Sequence, residues 1–389
     1  MRFWRHPRRR RRHYLRDILP GRPPLAALSA LLALASLAGC FPQRGAETPT
    51  APPAQPQAMI NAALPPAVSD RAGWAADLLS GFNTLGIEPN REHVCAVVAV
   101  IEQESGFHVD PVIPNLGTIA WREIDVRAQR ALIPNSLVHS VLQLKSSTGR
   151  SYSERIDRAR SERELSDIYE DFIAAVPLGR TLFAESNPIR TRGPMQVNVA
   201  FAEQFAAHKP YPYPVKLSIA DEVFTRRGSL YFGIAHLLDY AAPYDRTLYR
   251  FADYNAGQYA SRNAAFQSAV ATLTKTALVE DGALLPHDTN LESPGGTEAA
   301  VRTLRVRLNL SERAVRSDLE QGKARDFEQT ALYQRVFSAA DRQGRRRVPR
   351  AILPQIELHS PKITRKLSTA WYAKRVDERF NRCLSATTD

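Results

Sequence analysis

Apolar residues recur at helical spacing along much of this chain. The strongest pattern runs from Val94 to Ile101, an almost wholly apolar stretch that predicts a core helix. Asn90 can cap its start, because an Asn side chain accepts a bond from an unpaired backbone N–H, and Gly106 ends it. Glu104 falls inside the apolar stripe of this helix, whereas Glu102 points away from it.

Other stretches share this spacing, so the predicted fold class is mainly α. They are 74–85, 124–132, 137–144, 168–176, 199–208, 228–240, 250–257, 304–319, 327–340 and 363–380. Gly86 and Gly257 are placed to end two of these helices.

Residues 1–39 have the pattern of an export signal. Nine Arg precede a short apolar run that ends in Leu37-Ala38-Gly39-Cys40. This ending resembles the lipobox of bacterial lipoproteins, which implies cleavage before Cys40 and lipidation of that Cys. An uncleaved membrane anchor is the alternative, but the apolar run is short for a span of about 20 residues.

Removal of the signal changes the charge balance of the chain. The full sequence has 52 Lys and Arg against 40 Asp and Glu, and the signal accounts for nine of the former and one of the latter. The remaining weak positive excess does not indicate a nucleic-acid partner, and it is compatible with an anionic cell wall. Phe41 rather than Asp follows Cys40, which by resemblance to lipoprotein sorting predicts an outer-membrane anchor facing the periplasm.

The rest of the chain divides by composition. Residues 40–68 are rich in Pro, Ala and Gln and predict an extended tether. A helical domain is expected over 69–275, with an insertion at about 112–190, followed by a helical C-terminal extension over 276–389. Cys95 and Cys383 can form a disulfide in the periplasm, although two buried thiols remain the alternative.

Glu104 is the first candidate for chemistry. A carboxyl at the last turn of an apolar helix is poorly solvated, which favours its neutral form and raises its pKa. Such a group suits a general acid that works near neutral pH. The alternative is a structural Glu, or one that faces solvent at a frayed helix end.

Two later segments carry further candidates. Gly193-Pro194 forces a turn, which brings Met195 and the Gln196 amide together in a form suited to binding a sugar. The hydroxyl of Tyr254, on an apolar helix, could reach a buried carboxyl. Taken alone, an ordinary structural turn and ordinary core packing are the alternatives for these two segments.

Three motifs therefore follow one another along the chain. They are Glu104-Ser105-Gly106-Phe107, Gly193-Pro194-Met195-Gln196 and Tyr254-Asn255-Ala256-Gly257. In this order, behind a lipoprotein signal, they resemble the soluble lytic transglycosylases of the lysozyme superfamily over about residues 70–275, with the insertion excluded. Pro194 stands where the family has Leu, Asp253 stands where it has a small apolar residue, and the first two motifs lie unusually far apart.

The resemblance implies a lysozyme-like helical fold and cleavage of the bond between N-acetylmuramic acid and N-acetylglucosamine in peptidoglycan. Glu104 would be the single acid and base, with Tyr254 orienting it. The residues expected to line the sugar site are Ser105, Met195, Gln196, Tyr254 and Asn255. The implied partners are glycan strands and, through lipidated Cys40, a membrane, and no metal or cofactor is expected.

Two other functions stay open at this point. One is a hydrolytic muramidase in the same cleft, with Asp253 or Asp110 as a second carboxylate. The other is a lipoprotein that binds or scaffolds the cell wall without catalysis, with the insertion blocking the groove.

Overall fold

The computed structural model describes residues 54–179, 181, 186–209, 211–286, 295–358 and 365–387. Over these residues the protein is mainly helical, and its named strands form two short antiparallel pairs. Within the same ranges, no helix combines the length and the apolar character that crossing a membrane requires. The predicted signal over 1–39 and the lipidation site Cys40 lie outside the described residues.

The helices of the first half are α1 (Ala54–Ala63), α2 (Arg71–Leu85), α3 (Arg91–Glu104), α4 (Leu116–Arg130), α5 (Asn135–Leu142), α6 (Tyr152–Arg158), α7 (Glu162–Ala175) and α8 (Val199–His208). Those of the second half are α9 (Ile219–Glu222), α10 (Arg226–Leu238), α11 (Leu248–Ala256), α12 (Ala260–Thr274), α13 (Gly296–Leu304), α14 (Glu312–Glu320), α15 (Ala331–Gly344) and α16 (Thr369–Ala386). The strand pairs are β1 (Thr191–Arg192) with β2 (Val197–Asn198), and β3 (Glu357–Leu358) with β4 (Leu367–Ser368).

Helix α3 forms where the apolar run predicts it. The Asn90 side chain accepts a hydrogen bond from the His93 N–H at 2.8 Å, which caps the first turn. Every residue from Val94 to Ile101 is buried, and burial of each large apolar side chain contributes roughly 1.5–3 kcal/mol. After the helix, Phe107 turns back and packs edge-on against Trp74, with 5.2 Å between ring centroids.

The main core surrounds α3 with α1, α2, α10, α11 and α16. The inclusion of α1 differs from the extended tether expected up to residue 68. Ile60, Ala63 and Leu64 lie three and four residues apart, so a helix places all three on one face, where they are buried in this core.

A second hydrophobic cluster joins α12 to α13, α14 and α15, and a third lies inside the insertion. The clusters do not divide at residue 275, where the sequence predicts the C-terminal extension to begin. Helix α12 belongs to the second cluster, while α16 returns to the main core and packs on α3 and α11.

The single helix predicted over 304–319 is wrong, because two helices occupy this region. Helix α13 ends at Leu304, and Asn309 adopts a left-handed backbone with φ 51°. Ser311 then caps α14 by accepting a hydrogen bond from the Ala314 N–H at 3.2 Å. Leu308 remains buried between the two helices, so the apolar spacing continues although the helix does not.

Candidate functional site

Helices α3 and α16 run antiparallel, and a disulfide and several polar contacts join them. A disulfide links Cys95 near the start of α3 to Cys383 near the end of α16. At the other end of the pair, the Tyr372 hydroxyl donates to Glu104 Oε1 at 2.5 Å. Between these contacts the Arg382 guanidinium donates to Glu102 at 2.8 Å. The last helix therefore fixes the position of the Glu104 carboxyl.

Glu104 has the electrostatic properties of a general acid. It lies at the last residue of α3 and is half-buried, and the protein around it removes most of its solvation. This lost solvation raises the pKa of Glu104 to about 7, against the opposing effect of the Tyr372 hydrogen bond. The negative charge of Glu162 raises this pKa as well. The protonated form of Glu104, which can act as an acid, is therefore available near neutral pH.

The turn predicted at Gly193-Pro194 is confirmed. It joins β1 to β2, with φ 72° at Gly193 and φ 51° at Gln196. Gly193 is required here, because a Cβ would lie 2.1 Å from the carbonyl oxygen of Val223. The turn is anchored to α10, since the Met195 N–H donates to the Ser229 hydroxyl at 3.0 Å.

Tyr254 does not make the hydrogen bond that the sequence predicts. Its hydroxyl donates to the carbonyl oxygen of Met195 at 2.8 Å, so it holds the turn rather than Glu104. Burial raises the pKa of Tyr254, and the nearby charge of Glu104 raises it further. Tyr254 therefore still lies near Glu104. The orienting hydrogen bond to Glu104 comes from Tyr372, which donates to Glu104 from a helix that the three motifs do not include.

The other expected sugar-binding residues differ in their exposure. Met195 is fully buried and packs against Gly233, so its side chain faces the core rather than an open cleft. Asn255 is exposed and accepts a hydrogen bond from Thr369 at 2.7 Å. The Ser105 hydroxyl donates to the carbonyl of Ile101 at 3.2 Å, where it caps α3 beside Glu104.

Gln196 connects the turn to the insertion. Its side-chain oxygen accepts from the Thr191 hydroxyl at 2.8 Å, and its amide nitrogen donates to Glu162 Oε2 at 3.0 Å. Glu162 is the first residue of α7, so the insertion supplies a second carboxylate to the neighbourhood of Glu104. No feature of the sequence distinguishes Glu162, because a charged residue in the first turn of a helix is ordinary.

The two carboxylates proposed for a hydrolase lie in different environments. Asp253 is fully buried and accepts hydrogen bonds from the hydroxyls of Tyr240 and Tyr244 and from the N–H groups of Tyr259 and Ser261. It therefore organises the segment after α11 and is closed to substrate. These hydrogen bonds also explain why an acid stands at position 253, where the transglycosylases have a small apolar residue.

Asp110 is exposed and accepts a hydrogen bond from the Ser161 hydroxyl at 2.9 Å. Ser161 is the N-cap of α7, so this contact ties the insertion to the loop that follows α3. Asp110 thus helps to position the segment that carries Glu162.

Tyr372 was also missed, although the sequence contains a signal for it. If Cys95 and Cys383 join two antiparallel helices, Tyr372 lies eleven residues before Cys383 and Glu104 nine residues after Cys95. At 1.5 Å per residue both distances are roughly 14–16 Å, which places the two side chains at the same level. The predicted disulfide, which the structure confirms, therefore also indicated this contact.

No group of three or more His, Cys, Asp or Glu side chains within the described ranges is arranged to hold a metal ion. The arrangement around Glu104 instead offers a proton donor, a hydroxyl that orients it and a neighbouring carboxylate. Such a set can transfer a proton to a leaving oxygen and stabilise positive charge nearby.

The fold and this site describe a mainly helical protein with an acidic centre at the end of a core helix. The chain belongs to the family described as "Protein of unknown function (DUF1615)", which matches residues 67–386. It is 49% identical over 362 residues to "Uncharacterized protein YaiW" of Escherichia coli (strain K12), over 93% of this chain and 98% of that protein. No solved structure matches the chain. Neither description names an activity, so the transglycosylase resemblance stays a prediction.

Proposed function

We propose that this protein cleaves the glycan strands of peptidoglycan as a lytic transglycosylase, with Glu104 as its acid and base. The observation that carries the proposal is a half-buried carboxyl whose pKa is raised to about 7 and whose orientation is fixed by Tyr372. A general acid is most effective when its pKa lies near the working pH. The three motifs of the transglycosylase resemblance support the choice of substrate.

In the proposed reaction, protonated Glu104 gives its proton to the glycosidic oxygen between N-acetylmuramic acid and N-acetylglucosamine. The bond from C1 of the muramic sugar to that oxygen breaks, and positive charge develops on the sugar ring. The 6-hydroxyl of the same sugar then attacks C1 and returns its proton to Glu104. The products are a 1,6-anhydro end and a free hydroxyl, and no water is consumed.

The neighbouring side chains have separate roles in this proposal. Tyr372 stabilises the Glu104 carboxylate between the two proton transfers, because its hydroxyl already donates to that group. Gln196 and Asn255 would bind sugar hydroxyls or acetamido groups, with Ser105 beside them. Met195 and Tyr254 shape the site through the turn rather than through contact with the sugar.

A lysozyme-like arrangement of the helices and a lipid anchor at Cys40 in the outer membrane belong to the same proposal. The anchor would hold the domain within reach of its polymeric substrate. Incorporation of labelled fatty acid into the wild-type protein, but not into Cys40→Ala, would support the anchor.

Incubation of the purified protein with peptidoglycan, followed by mass spectrometry of the soluble fragments, tests the activity. We expect fragments with anhydro ends, each one water lighter than a hydrolysis product. Glu104→Gln should reduce their formation by about 10²–10⁴-fold while the protein stays folded. Glu92→Gln is the matched control, because Glu92 lies in the first turn of the same helix, where it is exposed and bonds Thr247 rather than α16.

Other products would favour the rival functions. If the wild-type protein released fragments with reducing ends instead of anhydro ends, it would be a muramidase. Glycan that binds but stays intact, with binding unaffected by Glu104→Gln, would indicate a wall-binding protein and would end the enzyme proposal.

A further inference from the structure

We propose that Glu162, supplied by the insertion and held by Gln196, is an electrostatic positioning residue for Glu104 and the reacting sugar. The inference rests on the proposed function and gives the insertion a part in it. The insertion then completes the acidic centre instead of blocking the groove.

The position of Glu162 is fixed from both sides. Ser161 caps α7 by accepting from the Glu164 N–H at 3.3 Å, and its own hydroxyl donates to Asp110 at 2.9 Å. The Glu162 carboxylate accepts the Gln196 amide at 3.0 Å, and Thr191 holds the other end of that amide at 2.8 Å. Rotation of the Gln196 amide would turn its oxygen toward the Glu162 carboxylate, which can only accept, so the donor remains directed at Glu162.

The same turn connects Glu162 to the acid. Met195, the residue before Gln196, accepts the hydroxyl of Tyr254. The charge of Glu162 raises the pKa of Glu104, and the charge of Glu104 raises the pKa of Tyr254, so all three side chains lie close together. The second motif therefore has a structural role that sequence alone does not reveal, since its Gln holds a carboxylate.

The groups that face Glu104 come from three helices. Tyr372 donates to it from α16, the Tyr254 hydroxyl approaches from α11, and Glu162 provides negative charge from α7. Arg379, also on α16, is near Tyr372 and pairs with Glu102 of α3. Of these groups, Glu162 is the one that contributes negative charge at the acid.

A fixed negative charge at this position has two effects. It favours the protonated form of Glu104, so the acid is loaded before the reaction begins. It also stabilises the positive charge that develops on the sugar ring as the glycosidic bond breaks. Both effects act through space, so Glu162 needs no covalent bond to the substrate.

The test compares the pH dependence of kcat/KM for glycan cleavage in the wild type, Glu162→Gln and Glu162→Asp. With Glu162→Gln the alkaline limb should move to lower pH, because Glu104 then loses its proton more readily. The rate at pH 7 should fall by roughly 10- to 100-fold. Glu162→Asp keeps the charge and should restore much of the rate together with the wild-type limb.

Glu123→Gln is the matched control, since it removes the same charge from the insertion at an exposed pair with Arg127. Its rate and pH profile should equal those of the wild type. Nuclear magnetic resonance of carboxyl-labelled Glu should show Glu104 titrating at lower pH in Glu162→Gln.

If Glu162→Gln lowers the rate but leaves both the alkaline limb and the Glu104 titration unchanged, Glu162 is only structural and the inference is overturned. A wild-type protein that forms no product overturns the proposed function, and this inference with it. Cleavage by the wild type that is indifferent to Glu162→Gln overturns the inference alone.

Discussion

The acidity of Glu104 depends on opposing contributions from a few neighbours. Lost solvation raises its pKa most, the Tyr372 hydrogen bond lowers it, and the charge of Glu162 raises it again. A protonated acid is needed for the first step, so the rate should fall as the pH rises through about 7. Each neighbour can be removed by a single substitution, and the direction in which the pKa of Glu104 then shifts identifies the role of that neighbour.

Tyr372→Phe should move the alkaline limb of kcat/KM to higher pH, opposite to the change expected for Glu162→Gln. The hydroxyl stabilises the ionised carboxylate, and its loss therefore raises the pKa of Glu104 further. A hydrogen bond to a charged group contributes about 1.5–3 kcal/mol, so the rate below the limb should also fall by roughly tenfold or more.

Tyr213→Phe is a suitable comparison, because it removes a hydroxyl that bonds Ser80, which lies on α2. If the alkaline limb of kcat/KM stayed at the wild-type pH in Tyr372→Phe, the hydroxyl would not act on Glu104.

Local periodicity was sufficient to place Glu104 but not its hydrogen-bond partner. An apolar stripe with one carboxyl in it is a local pattern, and the structure keeps that pattern intact in α3. Tyr372 is separated from Glu104 by 268 residues, and no local periodicity reports a contact at that distance. The same limit explains why Tyr254 received the orienting role in the sequence analysis.

At the scale of elements, the turn between β1 and β2 connects most of the site. The turn is hydrogen-bonded to Tyr254 of α11 and to Ser229 of α10, and its Gln196 donates to Glu162 of α7. Its formation was predictable from Gly193-Pro194, whereas its buried Met195 was not, because the sequence does not show which side of a turn faces the core.

Gly193→Ala should destabilise the protein more than Gly86→Ala. Both glycines have a left-handed backbone, φ 72° and φ 68°, so Ala costs about 1–2 kcal/mol of strain at either position. At Gly86 the added Cβ meets nothing within 4 Å, while at Gly193 it would lie 2.1 Å from the Val223 carbonyl oxygen.

Free energies of unfolding from urea titrations measure the difference between these two variants. Glycan cleavage should be lost only in Gly193→Ala, since that change displaces the turn. Equal destabilisation by the two substitutions would mean that the turn relaxes without cost.

At the scale of the whole molecule, the chain leaves the main core after α11, builds a second cluster with α12 to α15, and returns with α16. Composition indicates the helical character of this region but not its return. The apolar stripe of α16 does not identify its partner in the sequence, and in the structure it packs on α3 and α11.

Cys383→Ser should lower both stability and activity. The disulfide spans 288 residues, and a bond of this kind typically contributes about 2–4 kcal/mol to the free energy of unfolding. Tyr372 lies on the helix that the bond holds, so a looser α16 should orient Glu104 less well. Thermal unfolding and cleavage rates, each with and without reductant, measure the two effects.

Ser385→Ala provides the control for this change on the same helix, since Ser385 is exposed and donates to the Asn381 carbonyl. The prediction would be contradicted if reductant changed neither the melting temperature of the wild-type protein nor its rate of glycan cleavage.

The contact between Glu104 and Tyr372 also determines when the site can exist. A chain made from its N-terminus at about 5–20 residues per second needs on the order of 10–50 s to add the 268 residues that separate the two side chains. During that interval α3 has no Tyr372 to orient its acid and no Cys383 to bond with Cys95. The acidic centre is thus assembled late in biosynthesis, and a nascent chain that stops short of α16 carries Glu104 without the means to align it.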